Sequence, residues 1–491
     1  MKNNYLIYSV IKSMSMNEKR YFKISCGRHI IGSQNKYVYL FDVIDRLPSF
    51  DEDIFIKKLN EIKYSTKFLA SDLKYLKKNI LKSLNDFHSD KTTSITIKQK
   101  LITIEILFCK GLYDECLQII KKEKLNKQNL NSQFLLLELL NWEKKCIGYS
   151  TGLLNALEIN NQIDYLLDEV NIGRNLTDYY YQSYDLKNSV GKMSKESIEN
   201  QFDEIFKDEI FKNKPKFKSS LHNIYYYLIF ANHCKTINQT TNELIYLKNA
   251  LNIYEENKVY KFENPLDYIS IYIRIIDILK EYESDVFYIE LNKLKNFNDM
   301  VNLQKKVVNE RILIHAFQCE LEHLLIIKDK KRTAEILNNI VNALPTLEFN
   351  IEPYYYIKLH YLIASVYCVF GNFSNGLKHV NFILNEYNFK DRPNIFIKTE
   401  FLNIIIHYEF KNYELVLNSI NKFKKKYSKG YSFKYIEKKI LSTITKLSSN
   451  PNIIIERNEF RKLKNNIDKK GFELKKKIDI NYYDYIVNKL N

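Results

Sequence analysis

The sequence contains few of the residues that reverse or end secondary structure. Among 491 residues there are only 11 glycines and 7 prolines. A protein of many β-strands needs a turn between successive strands, and such turns favour these two residues. Helices joined by brief turns need far fewer of them. We therefore predict an all-α protein.

Long apolar runs are also absent. No stretch of about 18 residues is without a charged side chain, so we expect no membrane insertion. The short apolar stretch from Tyr5 to Val10 is interrupted at Lys12, which does not fit a signal peptide. Seven cysteines form no C-x-x-C pair. Reduced thiols and a cytoplasmic location are therefore expected.

Motifs of common catalytic sites do not occur. Neither G-x-x-x-x-G-K-[ST] nor G-x-G-x-x-G is found, so no clustered backbone amides are predicted to hold a phosphate. The zinc motif H-E-x-x-H and the serine motif G-x-S-x-G are missing as well. We expect a non-enzymatic protein without a cofactor.

One helix carries potential metal ligands. His315, Cys319 and His323 are spaced four residues apart, which places them on one helical face. No nearby residue completes a tetrahedral set, and the alternative is a partly buried seam with His323 at its end. We therefore predict no metal site here.

A helical-hairpin pattern lies between Leu101 and Lys124. Gly111 is placed to turn between antiparallel helices, aromatic Tyr113 follows, and small Cys116 allows the helices to approach closely. This pattern resembles the second half of a tetratricopeptide (TPR) hairpin.

The same pattern returns twice in the last third of the chain. Gly371 and Gly376 repeat it with a phenylalanine between them, and a weaker copy has Lys411 in place of the glycine. Another candidate spans 328–337, with Ala334 as the small residue. The period of about 40 residues exceeds that of a standard TPR but suits a two-helix repeat. We predict a TPR-like α-solenoid of antiparallel helix pairs, with repeats left unassigned between about 150 and 320.

Four segments, 17–23, 39–45, 110–117 and 479–490, resemble a poorly characterised group of bacterial helical-repeat proteins that are tetratricopeptide-like. The resemblance implies an N-terminal helical unit followed by repeats, and it implies no catalytic residue. The predicted domains are an N-terminal helical domain (1–95), a TPR-like repeat array (96–455) and basic C-terminal capping helices (456–491).

Two helices are predicted within the N-terminal domain. Ser49 and Glu52 are spaced as a capping box that begins a helix. A second helix, over 69–87, carries apolar residues on one stripe and lysines on another face. A helix-turn-helix-like nucleic-acid binder that uses Lys74, Lys77, Lys78 and Lys82 is one interpretation, and an ordinary surface helix is the other.

Three tyrosine runs, 179–181, 225–227 and 354–356, could stack against bases or other rings. Consecutive helical residues point in different directions, so we expect one or two tyrosines of each run to pack in the core and the third to face solvent.

Positive charge is concentrated near the C-terminus. The chain carries a net charge of +17, and residues 411–491 contain 20 basic and 8 acidic residues, a net +12. Such a cluster suits an acidic partner. A solvated helix face, with lysine favoured by AT-rich coding, is the alternative. The lysines proposed to bind an acidic partner are Lys424, Lys425, Lys426, Lys462, Lys464, Lys475, Lys476 and Lys477.

These observations predict a scaffold that binds a protein or peptide in a solenoid groove. The alternative is a nucleic-acid-associated regulatory protein that uses the basic C-terminal third or the N-terminal helices.

Overall fold

A computed structural model describes most of the chain. The described residues are 2–27, 35–48, 50–61, 64–125, 132–190, 193–212, 217–281, 285–297, 305–346, 353–387, 393–427, 435–469, 485–487 and 489–490. Within these ranges the elements are helical and no β-strand occurs. The predicted all-α class is confirmed. None of the described helices is long and apolar enough to cross a membrane.

The first ten α-helices are α1 (Lys2–Ser13), α2 (Met16–Gly27), α3 (Lys36–Arg46), α4 (Glu52–Glu61), α5 (Leu69–Phe87), α6 (Thr93–Cys109), α7 (Tyr113–Leu125), α8 (Gln133–Ser150), α9 (Leu153–Ala156) and α10 (Asn160–Asn188). The following helices are α11 (Lys195–Phe206), α12 (Glu209–Lys212), α13 (Ser220–Thr236), α14 (Thr240–Glu256), α15 (Lys258–Glu263), α16 (Pro265–Leu279), α17 (Asp285–Lys295), α18 (Lys305–Ile327), α19 (Lys330–Ala343), α20 (Pro353–Val369), α21 (Phe373–Glu386), α22 (Pro393–Glu409), α23 (Tyr413–Tyr427), α24 (Tyr435–Ser449) and α25 (Ile453–Lys469).

The chain divides into two compact units. Unit 1 comprises residues 1–175 and unit 2 comprises residues 176–491, with the division inside α10. The three domains expected from the sequence, 1–95, 96–455 and 456–491, stay predictions.

The described residues of unit 1 form two larger apolar cores and a small third cluster of Leu140, Ile159 and Leu166. In the first, helices α1 to α5 pack together, and the rings of Phe22 and Phe41 stack at 4.7 Å. The predicted stripe of α5 faces this core, while Lys74, Lys78 and Lys82 are exposed. In the second core, α6, α7 and α8 pack together. At its edge lies the chain's single tryptophan, Trp142, with its ring 5.4 Å from that of Phe108.

Helix α4 begins at Glu52 and its cap differs from the predicted capping box. The side chain of Asp51 accepts a hydrogen bond from the backbone N–H of Ile54 at 3.0 Å. An aspartate immediately before a helix satisfies one of its unpaired backbone donors. The other half of the predicted box, Ser49, lies outside the described residues.

Besides Gly152 (φ 111°), five residues in the described turns between helices have a positive φ and adopt the left-handed backbone conformation. These are Gly111 (φ 77°), Asn238 (φ 58°), Lys328 (φ 55°), Gly371 (φ 81°) and Lys411 (φ 60°). At four of them the next backbone N–H donates to the carbonyl oxygen five residues earlier, at 2.8 to 3.1 Å. This bond closes the end of a helix before the chain reverses. The predicted turns at Gly111, Lys328, Gly371 and Lys411 are confirmed.

The fifth residue after each left-handed position is buried against the preceding helix. Cys116, Gly376 and Val416 are fully covered or nearly so. A side chain added at Gly376 would lie 2.8 Å from the Cys368 sulfur, so the close approach requires glycine. In the turn at Lys328 this place is taken by Thr333, which is 3% exposed. The predicted small residue, Ala334, was wrong by one position and is exposed.

Lys411 occupies a conformation that disfavours side chains with a Cβ atom. We expect Lys411→Gly to stabilise unit 2 by about 0.5–1 kcal/mol, because the left-handed strain of lysine exceeds the entropic cost of glycine. The urea midpoint of unfolding measures this. The matched change Lys422→Gly, at an exposed position inside α23, should instead destabilise by about 1 kcal/mol. Equal effects of the two changes would contradict the prediction.

The cores of unit 2 follow one another along the chain. Successive apolar clusters join α13 to α18, α18 to α20, α20 to α22, and α22 to α25. Tyr485 and Ile486 cover part of the last cluster. Each described core is therefore built from helices that are close in sequence.

Candidate functional site

A cavity of about 510 Å³ lies within unit 2. Its walls come from the C-terminal turns of α10 and from α13, α16, α18 and α20, with Tyr254 added by α14. The volume falls in the range of about 300–1,000 Å³ that is typical of ligand-binding cavities. Apolar side chains of α13 and α16, such as Leu228 and Ile271, form part of the lining.

Tyrosines form much of the remaining wall. All three tyrosine runs predicted from the sequence contribute, with Tyr180, Tyr181, Tyr225, Tyr354 and Tyr355 in the lining. The rings of Tyr180 and Tyr225 stack at 4.9 Å. As expected, members of each run pack against apolar cores, and in the first run Tyr181 is exposed. Several of the same rings also border the cavity, which the sequence did not predict.

One charged network anchors Arg274 in the cavity wall. Its Nη2 atom donates to Glu243 Oε1 at 3.1 Å, and its Nη1 atom donates to Asn232 Oδ1 at 3.0 Å. The amide of Asn232 in turn donates to Ser183 Oγ at 2.9 Å. The Glu243 side chain is only 4% exposed. These bonds fix the position of the guanidinium in the cavity wall.

A second network surrounds Glu322. Its carboxylate accepts hydrogen bonds from Lys280 and from Lys358, the latter at 2.9 Å, and Lys280 also pairs with Asp277 at 2.8 Å. Burial favours the neutral form of Glu322, but the two ammonium groups outweigh it and hold the pKa of this carboxyl below its usual range. The charges of this network are therefore largely compensated.

Three other charged groups in the lining have no ion-pair partner among the described residues: Lys187, Arg311 and Asp267. The Nζ atom of Lys187 lies 4.0 Å from the centre of the Tyr184 ring. The buried Nε atom of Arg311 has no hydrogen-bond acceptor in the described part of the chain. Burial raises the pKa of Asp267, and the nearby Arg311 opposes that rise. These unpaired groups are available to a ligand.

Lys187 is the most perturbed of these groups. Burial lowers its pKa to about 7, Arg274 and Lys235 lower it by repulsion, and Glu243 acts in the opposite direction. A lysine of this kind changes charge near neutral pH, whereas an exposed lysine stays charged.

The three potential metal ligands of α18 have separate roles. His315 and Cys319 line the cavity, and burial lowers the pKa of His315 to about 4, with Arg311 as the next cause. His323 is buried, with its Nδ1 atom 2.9 Å from the Lys280 carbonyl oxygen. Across the described ranges, no group of three or more His, Cys, Asp or Glu is arranged to hold a metal ion.

The lysines proposed to bind an acidic partner lie outside this cavity. Lys424, Lys425 and Lys426 are exposed in the last turn of α23, and Lys462 and Lys464 lie on α25. Lys426 pairs with Glu400 at 2.5 Å and Lys462 pairs with Glu459 at 3.2 Å. Helices α23 and α25 both pack on α24. Lys475, Lys476 and Lys477 lie outside the described residues, and binding of an acidic partner by this set stays a prediction.

No protein-family model, no curated protein and no solved structure matches the chain. The function is therefore inferred from the chemistry of its own surfaces.

Proposed function

We propose that this protein is a non-enzymatic scaffold that binds a peptide or protein segment in the cavity of unit 2. The observation that carries this proposal is the lining itself. It combines tyrosine rings and apolar side chains with the unpaired charges of Lys187, Arg311 and Asp267. Rings supply contact area at low entropic cost, and a few polar groups fix orientation.

The order of the helices supports a TPR-like α-solenoid in unit 2. Most of the cavity lining comes from α13, α16, α18 and α20, whereas α14 adds only Tyr254 and the intervening helices α17 and α19 add no residue to it. The left-handed turns at Lys328, Gly371 and Lys411 follow one another at intervals of about 40 residues. A two-helix repeat places every first helix on one face, and that face is the usual binding surface of such arrays. Membership of the tetratricopeptide-like bacterial group is part of this proposal.

The chemistry of the lining favours binding over catalysis. A general base works best with a pKa near the working pH, and that of His315 is far below neutral. Lys187 has a suitable pKa, but it has no hydrogen-bonded acid or base beside it in the described structure. A fixed cationic and aromatic surface is better suited to recognition.

Blocking the cavity tests this function. Peptides are selected from a random displayed library against the full chain, and their affinities are then measured by fluorescence anisotropy. Ser270 lies in the lining on α16, so Ser270→Trp should fill the cavity and weaken binding by tenfold or more, roughly the loss of one good contact. Circular dichroism and the melting temperature establish that the variant is folded.

The matched control is Ser442→Trp, which changes an exposed serine on α24. It should leave peptide affinity unchanged. The proposal fails if no peptide is selected, or if the selected peptides bind the folded Ser270→Trp protein as tightly as the parent.

A further inference from the structure

An excess of positive charge surrounds one buried carboxylate at the α10 end of the cavity. Glu243 lies 3.1 Å from Arg274 and 3.7 Å from Lys235. Its negative charge also raises the pKa of Lys187, against the effect of burial. Three cations thus share a single anion. Like charges held together in a partly buried site are unfavourable unless further negative charge compensates them.

The two lining cations of this group face the cavity. Arg274 is held in place by Glu243 and Asn232, which engage one N–H on each of its Nη atoms. Lys187 is held by no carboxylate in the described structure, and its ammonium lies over the Tyr184 ring. An ammonium has three donors, so those of Lys187 remain for a ligand.

We infer that the Lys187 end of this cavity binds the carboxylate of an acidic peptide. This rests on the proposed function and specifies its ligand. One carboxylate supplies one negative charge and accepts hydrogen bonds from Lys187, with Arg274 adding positive potential. A phosphate dianion is better matched by an arginine whose whole fork is free, and here Arg274 already uses two of its five N–H donors on Glu243 and Asn232. The remaining chain of the peptide lies among the tyrosines.

Binding at this position takes up a proton near neutral pH. The charged groups that face Lys187 are Arg274 from α16, Glu243 from α14 and Lys235 from α13, with the Tyr184 ring from its own helix. A bound carboxylate favours the ammonium form and raises the pKa of Lys187. Affinity should therefore be greatest below about pH 7 and should fall as pH rises, by at most tenfold for each pH unit.

The test uses two heptapeptide libraries with acetylated N-termini, one amidated and one with a free C-terminus. Each position is fixed in turn as Asp, Glu, Asn or Gln, and binding to the full chain is measured between about pH 6 and pH 9. Near pH 6.5 we expect acidic residues, or the free C-terminus, to improve affinity by about tenfold or more. The amidated library identifies a side-chain carboxylate, and the other library identifies a terminal one.

Two variants of Lys187 separate the effect of its positive charge on binding from the effect of its change of charge near neutral pH. Lys187→Gln should remove the preference for a carboxylate. Lys187→Arg should keep that preference and lose the pH dependence, because arginine stays charged. Lys195→Gln changes net charge equally on an exposed part of α11 and should have no effect.

Two results would overturn the inference in different ways. If heptapeptides bind and Ser270→Trp blocks them, but the carboxylate preference is absent or survives Lys187→Gln, the carboxylate site is wrong and the proposed function stands. If the parent protein binds none of the heptapeptides, both proposals fall.

Discussion

Glu243→Ala is expected to destabilise unit 2 by about 3–5 kcal/mol. The change removes the only carboxylate placed between Arg274, Lys235 and Lys187 among the described residues, and it leaves a partly buried guanidinium without its ion-pair partner. Breaking a buried pair from one side costs this much because the remaining charge is not solvated. Urea unfolding at pH 7, followed by circular dichroism, measures the loss.

A double variant separates the charge effect from a simple loss of packing. Glu243→Ala combined with Arg274→Met removes both partners and should recover part of the stability lost in the single variant. The surface control is Glu199→Ala, which breaks an exposed pair with Lys195 and should cost less than about 0.5 kcal/mol. If the double variant is no more stable than Glu243→Ala, unpaired charge is not the cause.

Acid is expected to destabilise unit 2 through histidines that are buried in the neutral state. Burial lowers the pKa of His222, His315 and His379 to about 4 and that of His360 to about 3. An unfolded histidine titrates near pH 6.5, so below that pH the unfolded chain binds more protons than the folded chain. Stability is retained above about pH 6.5 and falls as pH drops toward 4. Each histidine lowered to about 4 contributes a loss of about 3 kcal/mol.

His360→Leu tests this account at one position. His360 lies with its Nδ1 atom 3.1 Å from that of His379, and its buried Nε2 atom has no hydrogen-bond partner in the described structure. Leucine removes one titrating group, so the variant should lose less stability than the parent between pH 6.5 and 4. Urea midpoints across that range give the difference. An unchanged pH dependence would show that His360 does not contribute.

The hairpin turns could be predicted where the left-handed residue or its neighbours carried a recognisable pattern. Gly111 and Gly371 gave a direct signal because glycine adopts positive φ without strain. Lys328 and Lys411 were found only from the helices around them. The turn at Asn238 was missed in the region left unassigned. Asparagine tolerates the left-handed conformation, so the residue type alone could have suggested a turn there.

The candidate cavity could not be predicted in the same way. Its lining residues extend from Tyr180 to Lys358 and reach one space only after six helices have packed. The spacing of Tyr180, Tyr184 and Lys187 does place them on one face of α10, and this was readable from the sequence. The position of Glu243 was a second indication that a charged residue is buried near this cavity. Glu243 lies five residues after Asn238, in the buried place that Cys116 and other small or apolar residues occupy elsewhere.

Burial and pairing decide which charges are available, and neither is a property of sequence spacing. Lys358 and Lys187 are both lysines of the cavity lining, yet Lys358 is engaged by Glu322 and Lys187 has no carboxylate in the described structure. The C-terminal lysines that the composition emphasised differ from both, because Lys426 and Lys462 form ion pairs on the surface of the protein. The net charge of the sequence pointed to the C-terminal third of the chain. Contacts between helices instead identified Lys187 as a lysine of the cavity lining that has no carboxylate partner in the described structure.

Trp142 gives the chain an intrinsic fluorescent label for one unit. It is the single tryptophan and packs against Phe108 in unit 1, whereas the tyrosine-lined cavity belongs to unit 2. Excitation at the long-wavelength edge selects the indole over the phenols, so its emission follows the melting of residues 1–175. Circular dichroism records the helices of both units. Comparing the dichroism and indole transitions of a variant such as Glu243→Ala measures how far a loss of stability in unit 2 reaches residues 1–175, with no dye attached.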